Sequence, residues 1–340
     1  MERNVPSNRR TYLRRLAGYV AALTAQAAVR KLPALDDEPA ASSERDMEAS
    51  PDQNAPERRG MMTLGGRQFW GDVCFRGGYR IQRNIFTGHH RLLDSGDRRF
   101  ESGLLESCRE TLRQICQEQQ IPDQTGRVVI LLHGLGRSSH AMDPIKHFLE
   151  ERGLTCCPFS YPSTRIALAD CANYLRDVLM SMPNVTQISF VAHSMGGLVV
   201  RRLLQDYSDE RMEHLVMLGT PNQGADLATM LKNLSLFKLI YGPAGGELAR
   251  GEGSTVSNLP VPQFPFAVIA GGKGDNAGYN QLLEGDDDGT VTVASTQLAG
   301  ASDFLVVPRL HSFLMSSPEV LAAIYSFLQT NRFDLESDNG

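Results

Sequence analysis

A serine flanked by small residues stands between an apolar run and a helix-like segment in VAHSMGGLVV, residues 191–200. A strand that turns sharply into a helix at a serine exposes the hydroxyl, and the close neighbours of that serine must be small. Here those neighbours are Ala192, where glycine is commoner, and Gly196. A tight turn without any chemistry fits the same short pattern. Ser194 is therefore a candidate nucleophile, provided that the chain also supplies a base, an acid and an oxyanion site.

The candidate base is His311, in the stretch VVPRLHSFLMSSPEVLAAIYSFL at 306–328. It follows the last predicted strand and precedes the last predicted helix, so it completes the chain order serine, acid, histidine. Other histidines fit less well, because they precede the predicted sheet, lie on a predicted helix, flank the serine or begin a strand. These are His89, His90, His140, His147, His193 and His214.

The candidate acid is Asp288, in EGDDDGTVTVAST at 284–296. It lies between the predicted strand 265–271 and His311, and we expect it to orient the imidazole. An acidic triplet is also typical of a solvated turn or a calcium loop, but the spacing of a regular calcium-binding loop does not follow, so we predict no metal site. Four other carboxylates remain as alternatives for the acid: Asp286, Asp287, Asp275 and Asp226.

The candidate oxyanion site begins with LLHGLGRSS at 131–139, at the end of the first predicted strand of the alternating region. A His-Gly-x-Gly turn at that place brings backbone N–H groups to the negative oxygen of a tetrahedral intermediate. Losing one such donor typically costs about 3 kcal/mol of transition-state stabilisation. We assign the donors to the backbone N–H groups of Leu135 and Met195. His133 is expected to hold the loop by hydrogen bonding and not to act as the base.

The elements that must position these residues are short apolar runs that alternate with helix-like segments. Strands that are apolar on both faces and alternate with helices predict a parallel sheet covered on both sides, so the fold class is α/β. The predicted strands are 127–133, 154–160, 187–193, 214–220, 265–271 and 303–309. The predicted helices are 141–152, 166–182, 196–207 and 318–329.

Five motifs in this order, HGLGRSS, VAHSMGGLVVRRLL, VMLGTPNQGAD, DDDGTVTV and LHSFLM, resemble the lipase and esterase branch of the α/β-hydrolase superfamily. Bacterial triacylglycerol-lipase-like and GPI-inositol-deacylase-like members belong to this branch. The likeness covers about residues 125–330. It implies a mostly parallel sheet with helices on both faces, and a serine hydrolase that cleaves carboxylic esters through an acyl-enzyme without a cofactor. The residues that match the family's site are Ser194, Asp288 and His311 for the triad, and Leu135 and Met195 for the oxyanion hole.

A cap insertion is expected after the sixth strand of that fold, at about 222–263. Its sequence joins a strongly apolar helical stretch to a glycine-rich segment, and an insertion at this point is able to cover the active site. A core helix followed by a flexible loop is the alternative. Four residues are expected to contact an acyl chain or to line a mobile lid: Leu231, Leu234, Phe237 and Ile240.

The segment before the core falls into two parts. Residues 1–60 combine a basic, amphipathic start with a linker rich in proline, serine and acidic residues. The start is similar to a twin-arginine export signal, but a cytoplasmic or peripheral-membrane location is favoured. Residues 61–125 predict a hairpin at 67–84 and then a helix, both packing on a core at 126–332, with a tail at 333–340. The helix should present one apolar stripe, formed by Leu104, Leu105, Cys108, Leu112, Ile115 and Cys116.

The amino-acid composition limits the classes of partner that the protein is expected to bind. A net charge of −5 argues against nucleic acid, because phosphate binding requires a concentrated basic face. The expected partner is a small-molecule or lipid ester, with peripheral membrane contact through the N-terminal segment or the cap. Two alternatives remain open: an acyltransferase or amidase with the same triad, and a catalytically silent binding protein.

Overall fold

The computed structural model describes residues 61–62, 66–225, 242–248 and 254–334, which belong to one compact unit, Glu57–Gly340. Its strands form a five-stranded antiparallel sheet in the order β1-β5-β4-β3-β2, here the small sheet, and a six-stranded sheet in the order β11-β10-β9-β8-β6-β7, here the large sheet. The strands of the small sheet are β1 Met61–Met62, β2 Trp70–Arg76, β3 Tyr79–Asn84, β4 His90–Leu93 and β5 Arg98–Gly103. The strands of the large sheet are β6 Gly126–Leu132, β7 Thr155–Phe159, β8 Val185–His193, β9 Met212–Leu218, β10 Phe266–Gly271 and β11 Asp303–Val307.

The helices alternate with the strands of the large sheet, as the sequence predicts. They are Leu105–Glu118, Asp143–Glu150, Leu168–Met180, Met195–Asp206, Val293–Thr296 and Pro318–Thr330, with a further short helix at 242–247. Short 3₁₀ helices occur at Arg67–Phe69, Ser139–Met142, Val256–Asn258 and His311–Ser316.

All pairings in the large sheet are parallel, and both of its faces are buried. Along β6, Val128 and Ile130 belong to one hydrophobic core, whereas Val129 and Leu131 belong to a second core on the opposite face. Successive side chains of a strand point to opposite faces, so a run that is apolar at every position needs cover on both sides. The predicted parallel sheet is confirmed, and its strands differ from the predicted bounds by one or two residues.

The region before the large sheet contains more strands than the predicted hairpin. Residues 98–103 pair with β4 as strand β5, so the predicted helix begins only at Leu105. Leu104 has an extended backbone and is 72% exposed, whereas Cys108 and Ile115 are buried. The predicted stripe is therefore confirmed for the buried residues from Cys108 onward. It is wrong for Leu104, because residues 98–103 pair as a strand and the helix begins only after Leu104.

The small sheet meets the large sheet at β7. The Asp72 N–H donates to the Ser160 carbonyl at 2.9 Å, and the Ser160 N–H donates to the Asp72 carboxylate at 2.6 Å. Ser160 directly follows β7, so these bonds fix β2 beside the carboxyl end of the large sheet. The 3₁₀ turn Arg67–Phe69, which leads into β2, is thereby held next to the loops that follow the large-sheet strands.

Several expectations lie outside the described residues. Residues 1–60 and 335–340 are among them, and so are all four predicted cap contacts, Leu231, Leu234, Phe237 and Ile240. Of the expected cap, the structure describes 222–225, 242–248 and 254–263. No helix in the described part of the chain is long and apolar enough to cross a bilayer.

Candidate active site

Ser194 occupies the turn between β8 and the helix Met195–Asp206, with φ 55° and ψ −123°. Residues other than glycine seldom adopt a positive φ, and such strain concentrates at functional sites. The Ser194 N–H donates to the Leu218 carbonyl at 2.8 Å, and its carbonyl accepts from the Thr220 hydroxyl at 2.9 Å. These bonds to the end of β9 hold the backbone in place. The half-buried Ser194 side chain makes no hydrogen bond within the described residues.

Close contacts with neighbouring strands explain why the residues around Ser194 are small. A Cβ at Gly196 would lie 2.9 Å from the Leu132 carbonyl oxygen and 3.0 Å from that of His133. Those are backbone atoms at the end of β6, so they have little freedom to move. Ala192 is fully buried, between Leu132 and Met217 in the register of the sheet. Alanine in place of the commoner glycine therefore fits here, as a buried sheet residue.

Two backbone N–H groups near the serine turn make no hydrogen bond to any of the described residues. The loop that follows β6 lies against the turn, since a Cβ at Gly134 would be 3.1 Å from the Ser194 Cβ. Within the described residues, neither the Leu135 N–H nor the Met195 N–H donates a hydrogen bond. Met195 is the first residue of its helix, where N–H groups lack partners and the helix dipole favours negative charge. Both groups are thus available to an anionic oxygen.

His133 holds the loop and is not placed as a base. Its Nδ1 bonds to the Gly134 carbonyl at 2.8 Å, its Nε2 accepts from the Tyr161 N–H, and its carbonyl accepts from the Tyr161 hydroxyl. The two rings stack at a centroid distance of 4.2 Å. Burial lowers the pKa of His133 to about 4, so the ring is neutral at neutral pH.

His311 and Asp288 form a hydrogen-bonded pair. The His311 Nδ1 lies 2.6 Å from an Asp288 carboxylate oxygen, and the His311 N–H donates to the Asp288 carbonyl at 2.9 Å. The other carboxylate oxygen accepts from the N–H groups of Thr290 and Val291 at 3.0 and 2.7 Å. A carboxylate on Nδ1 fixes the tautomer that leaves Nε2 as the basic nitrogen. Within the described residues, Nε2 has no hydrogen bond.

The neighbouring aspartates serve other turns. Asp286 accepts from the N–H groups of Lys273 and Gly274. Asp287 is buried, which raises its pKa, and it accepts from the Asn280 N–H. Three successive carboxylates therefore have three different sets of partners.

The remaining candidates for the acid are also accounted for. Asp275 caps its own exposed turn by accepting from the Ala277 and Gly278 N–H groups. Asp226 lies outside the described residues.

In the part of the chain that is described, no three His, Cys, Asp or Glu side chains are grouped to hold a metal ion.

His311 lies beside the serine turn. A Cβ at Gly219 would be 3.0 Å from the His311 Nδ1, and Gly219 directly follows Leu218, which binds the Ser194 N–H. The rings of His193 and His311 are 4.6 Å apart, and the His193 Nε2 is 3.1 Å from the His311 carbonyl. No hydrogen bond joins the Ser194 hydroxyl to His311 in the described chain. Catalytic hydrogen bonds are often long until substrate binds.

Comparison with known proteins decides the fold family. A family model described as the alpha/beta hydrolase fold matches residues 127–240. The chain has the α/β-hydrolase fold. The propeptide form of Bacillus licheniformis lipase BlEst2 aligns with a TM-score of 0.50 and 19% identity, over 64% of this chain and 53% of that chain. Comparison with curated protein sequences gives no match.

Two further solved structures are more distant by TM-score. The mature form of the same lipase has a TM-score of 0.49 and 20% identity, over 62% of this chain and 94% of that chain. The metagenomic carboxyl esterase MGS0156 has a TM-score of 0.42 and 20% identity, over 56% of this chain and 67% of that chain.

Within this α/β-hydrolase fold, sequence reasoning misses the residues that support the loop 133–139. Arg137 donates to the Ser312 hydroxyl at 2.7 Å, which ties the loop to the residue after His311. Gln68, from the turn before β2, donates to the Arg137 carbonyl at 2.7 Å. These partners are 175 and 69 residues apart in the chain, and no local motif marks them.

Proposed function

We propose that the protein is a serine hydrolase that cleaves carboxylic esters. Ser194 is the nucleophile, His311 the general base and then acid, and Asp288 the group that orients His311. The observation that carries the proposal is the 2.6 Å bond from His311 to Asp288, beside a serine with a positive φ. The similarity to the BlEst2 lipase, which shows the fold, makes an ester the substrate class to test first.

The mechanism follows from the positions of these groups. The His311 Nε2 takes the proton of the Ser194 hydroxyl, and the serine oxygen attacks the ester carbonyl. The tetrahedral oxygen receives hydrogen bonds from the N–H groups of Leu135 and Met195. His311 then passes its proton to the leaving alcohol, which gives the acyl-enzyme. Water enters by the same route and releases the acid.

The acyl group is proposed to bind under the cap at 222–263, where Leu231, Leu234, Phe237 and Ile240 supply apolar contact. Peripheral membrane contact through the N-terminal segment or the cap would suit a lipid ester. An acyltransferase or amidase would use the same triad and differ in whether an alcohol or an amine replaces water.

The first test is labelling with a fluorophosphonate, which reports an activated serine without presuming a substrate. The modified peptide is mapped by mass spectrometry in the wild type, in His311→Ala and in His147→Ala, whose histidine is exposed on the helix Asp143–Glu150. We expect labelling at Ser194 in the wild type and His147→Ala, and its near-complete loss in His311→Ala. Labelling at another serine would contradict the site. An unlabelled wild type would instead favour a catalytically silent binding protein.

A further inference from the structure

The loop that carries the Leu135 N–H binds the side chain of Gln68, which lies before the hydrolase core in the chain. Gln68 lies in the 3₁₀ turn Arg67–Phe69, before the first strand of the region that resembles the family. The next residue is anchored beside the small sheet, because the Phe69 carbonyl accepts from the Ile85 N–H at 3.0 Å, just after β3. Gln68 therefore extends from a turn that is held beside the small sheet.

The carboxamide of Gln68 binds two loops of the large sheet at once. Its nitrogen donates to the Arg137 carbonyl at 2.7 Å. Its oxygen accepts from the Thr164 N–H at 3.3 Å and from the Thr164 hydroxyl at 3.0 Å. A carbonyl only accepts and a backbone N–H only donates, so these partners fix which end of the amide is which. No other uncharged side chain of this length offers a donor and an acceptor together.

A second connection runs through Ser163. The Ser163 hydroxyl donates to the Gln68 carboxamide oxygen at 3.3 Å and accepts from the Gly136 N–H at 3.0 Å. Gln68 thus binds Arg137 directly and Gly136 through Ser163. These are the two residues that follow Leu135, the proposed oxyanion donor.

We propose that Gln68 is a positioning residue for the oxyanion site. The inference rests on the proposed function, because it gives the Leu135 N–H its role. The Leu135 N–H shares its peptide plane with the Gly134 carbonyl, which accepts from the Arg137 N–H at 3.3 Å. Gln68 holds the Arg137 end of this turn directly, and it holds Gly136 through Ser163. A donor stabilises the transition state only when it is aimed in advance at the developing charge. The turn that leads into the small sheet thereby helps to position the proposed oxyanion donor, through the side chain of Gln68.

The kinetic test compares Gln68→Met, which has a similar size and no hydrogen-bonding amide, with Gln119→Met. Gln119 accepts one hydrogen bond from the Tyr79 hydroxyl at the far end of the small sheet, so it is a matched control. Hydrolysis of p-nitrophenyl butyrate is measured per active site, counted by fluorophosphonate labelling. We expect Gln68→Met to lower kcat about 10- to 100-fold, since misplacement by about 1 Å has effects of this size. KM should change less than about twofold, because the Leu135 N–H acts mainly in the transition state.

A boronic acid, which forms a tetrahedral adduct with the serine, supplies a readout that loss of folded protein does not change. Its inhibition constant should rise by about the same factor as kcat falls, since both depend on the oxyanion donors. Gln119→Met should leave both values at the wild-type level. The proposal is overturned when Gln68→Met retains wild-type kcat per labelled site and wild-type boronate affinity.

Amide hydrogen exchange tests the same inference without any turnover. We expect the peptide 131–139 to exchange faster in Gln68→Met than in the wild type, because the Gly136 N–H loses its supported partner. Exchange at the wild-type rate would overturn the proposal. A wild type that neither hydrolyses esters nor labels would contradict the proposed function, and the exchange rates would still decide whether Gln68 holds the loop.

Discussion

The acidic triplet shows how a site is resolved at the scale of single residues. Asp286, Asp287 and Asp288 are chemically identical, and the sequence leaves their roles open within one or two positions. In the structure Asp288 alone of the three is bonded to His311. Asp286 and Asp287 bind backbone N–H groups of neighbouring turns. The direction of each side chain depends on the local turn, which composition does not encode.

This assignment predicts that Asp288→Asn lowers kcat by about 10³- to 10⁴-fold, because an amide at Nδ1 favours the wrong tautomer of His311. Ester hydrolysis per folded molecule is the measurement. Asp286→Asn is the control, since its carboxylate accepts from the Lys273 and Gly274 N–H groups and does not touch the imidazole. A larger loss of kcat in Asp286→Asn than in Asp288→Asn would show that the acid is misassigned.

At the scale of elements, the turn from β8 into the helix Met195–Asp206 leaves no room for a larger residue. A methyl group at Gly196 would lie 2.9 and 3.0 Å from the backbone oxygens of Leu132 and His133, closer than ordinary van der Waals contact. The loop after β6 would have to shift, and that loop carries the Leu135 N–H. Packing and oxyanion geometry are therefore coupled at this glycine.

We predict that Gly196→Ala lowers the free energy of unfolding by about 1–3 kcal/mol, the usual cost of overpacking, and lowers kcat as well. Gly246→Ala is the matched control. Gly246 lies in the helix 242–247, and a Cβ there would meet nothing within 4 Å. That change should stabilise the fold by up to about 1 kcal/mol, because alanine loses less entropy in a helix. Urea unfolding measures the free energy of unfolding of each variant. Equal changes in Gly196→Ala and Gly246→Ala would contradict the steric argument.

The helices and strands were predictable where burial sets the spacing of apolar residues along the chain. Strands of the large sheet are apolar on both faces and its helices on one, so their bounds were found within a few residues. The small sheet was predicted only in part. Its strand β5 reads RRFESG and is mostly exposed or half-buried, so its pairing with β4 leaves no alternation of apolar and polar residues for a sequence pattern to detect.

At the scale of the whole molecule, the site depends on contacts between distant segments. The turn at Ser194 and His311 were recognisable because each lies in a local motif that resembles the α/β-hydrolase pattern. The contacts of Gln68 and Ser312 with the loop 133–139 were not, because they join segments 69 and 175 residues apart in the chain. Tertiary contacts over such separations follow from the topology, and a single sequence taken alone gives no signal for them.

The two buried histidines beside the site link the stability of the whole molecule to pH. Burial lowers the pKa of His133 to about 4 and that of His193 well below its ordinary value. In the unfolded chain both titrate near their ordinary pKa of about 6.5. Below that pH the unfolded state binds more protons than the native state, so the free energy of unfolding falls as the pH falls. For His133 the loss reaches about 3 kcal/mol near its native pKa.

His133→Asn isolates this contribution, because the asparagine amide is able to replace the Nδ1 donor to the Gly134 carbonyl and does not titrate. Urea unfolding from pH 7 to pH 4.5 should show a shallower fall in stability for His133→Asn than for the wild type, whatever its stability at pH 7. His147→Gln, at an exposed position, is the control and should keep the wild-type slope, because it leaves the buried ring of His133 and its hydrogen bonds in place. Carboxylates contribute equally to all three proteins, so the difference in slopes belongs to the histidine. Identical slopes for His133→Asn and the wild type would mean that His133 takes up protons alike in the native and unfolded states, which would contradict its burial between Gly134 and Tyr161.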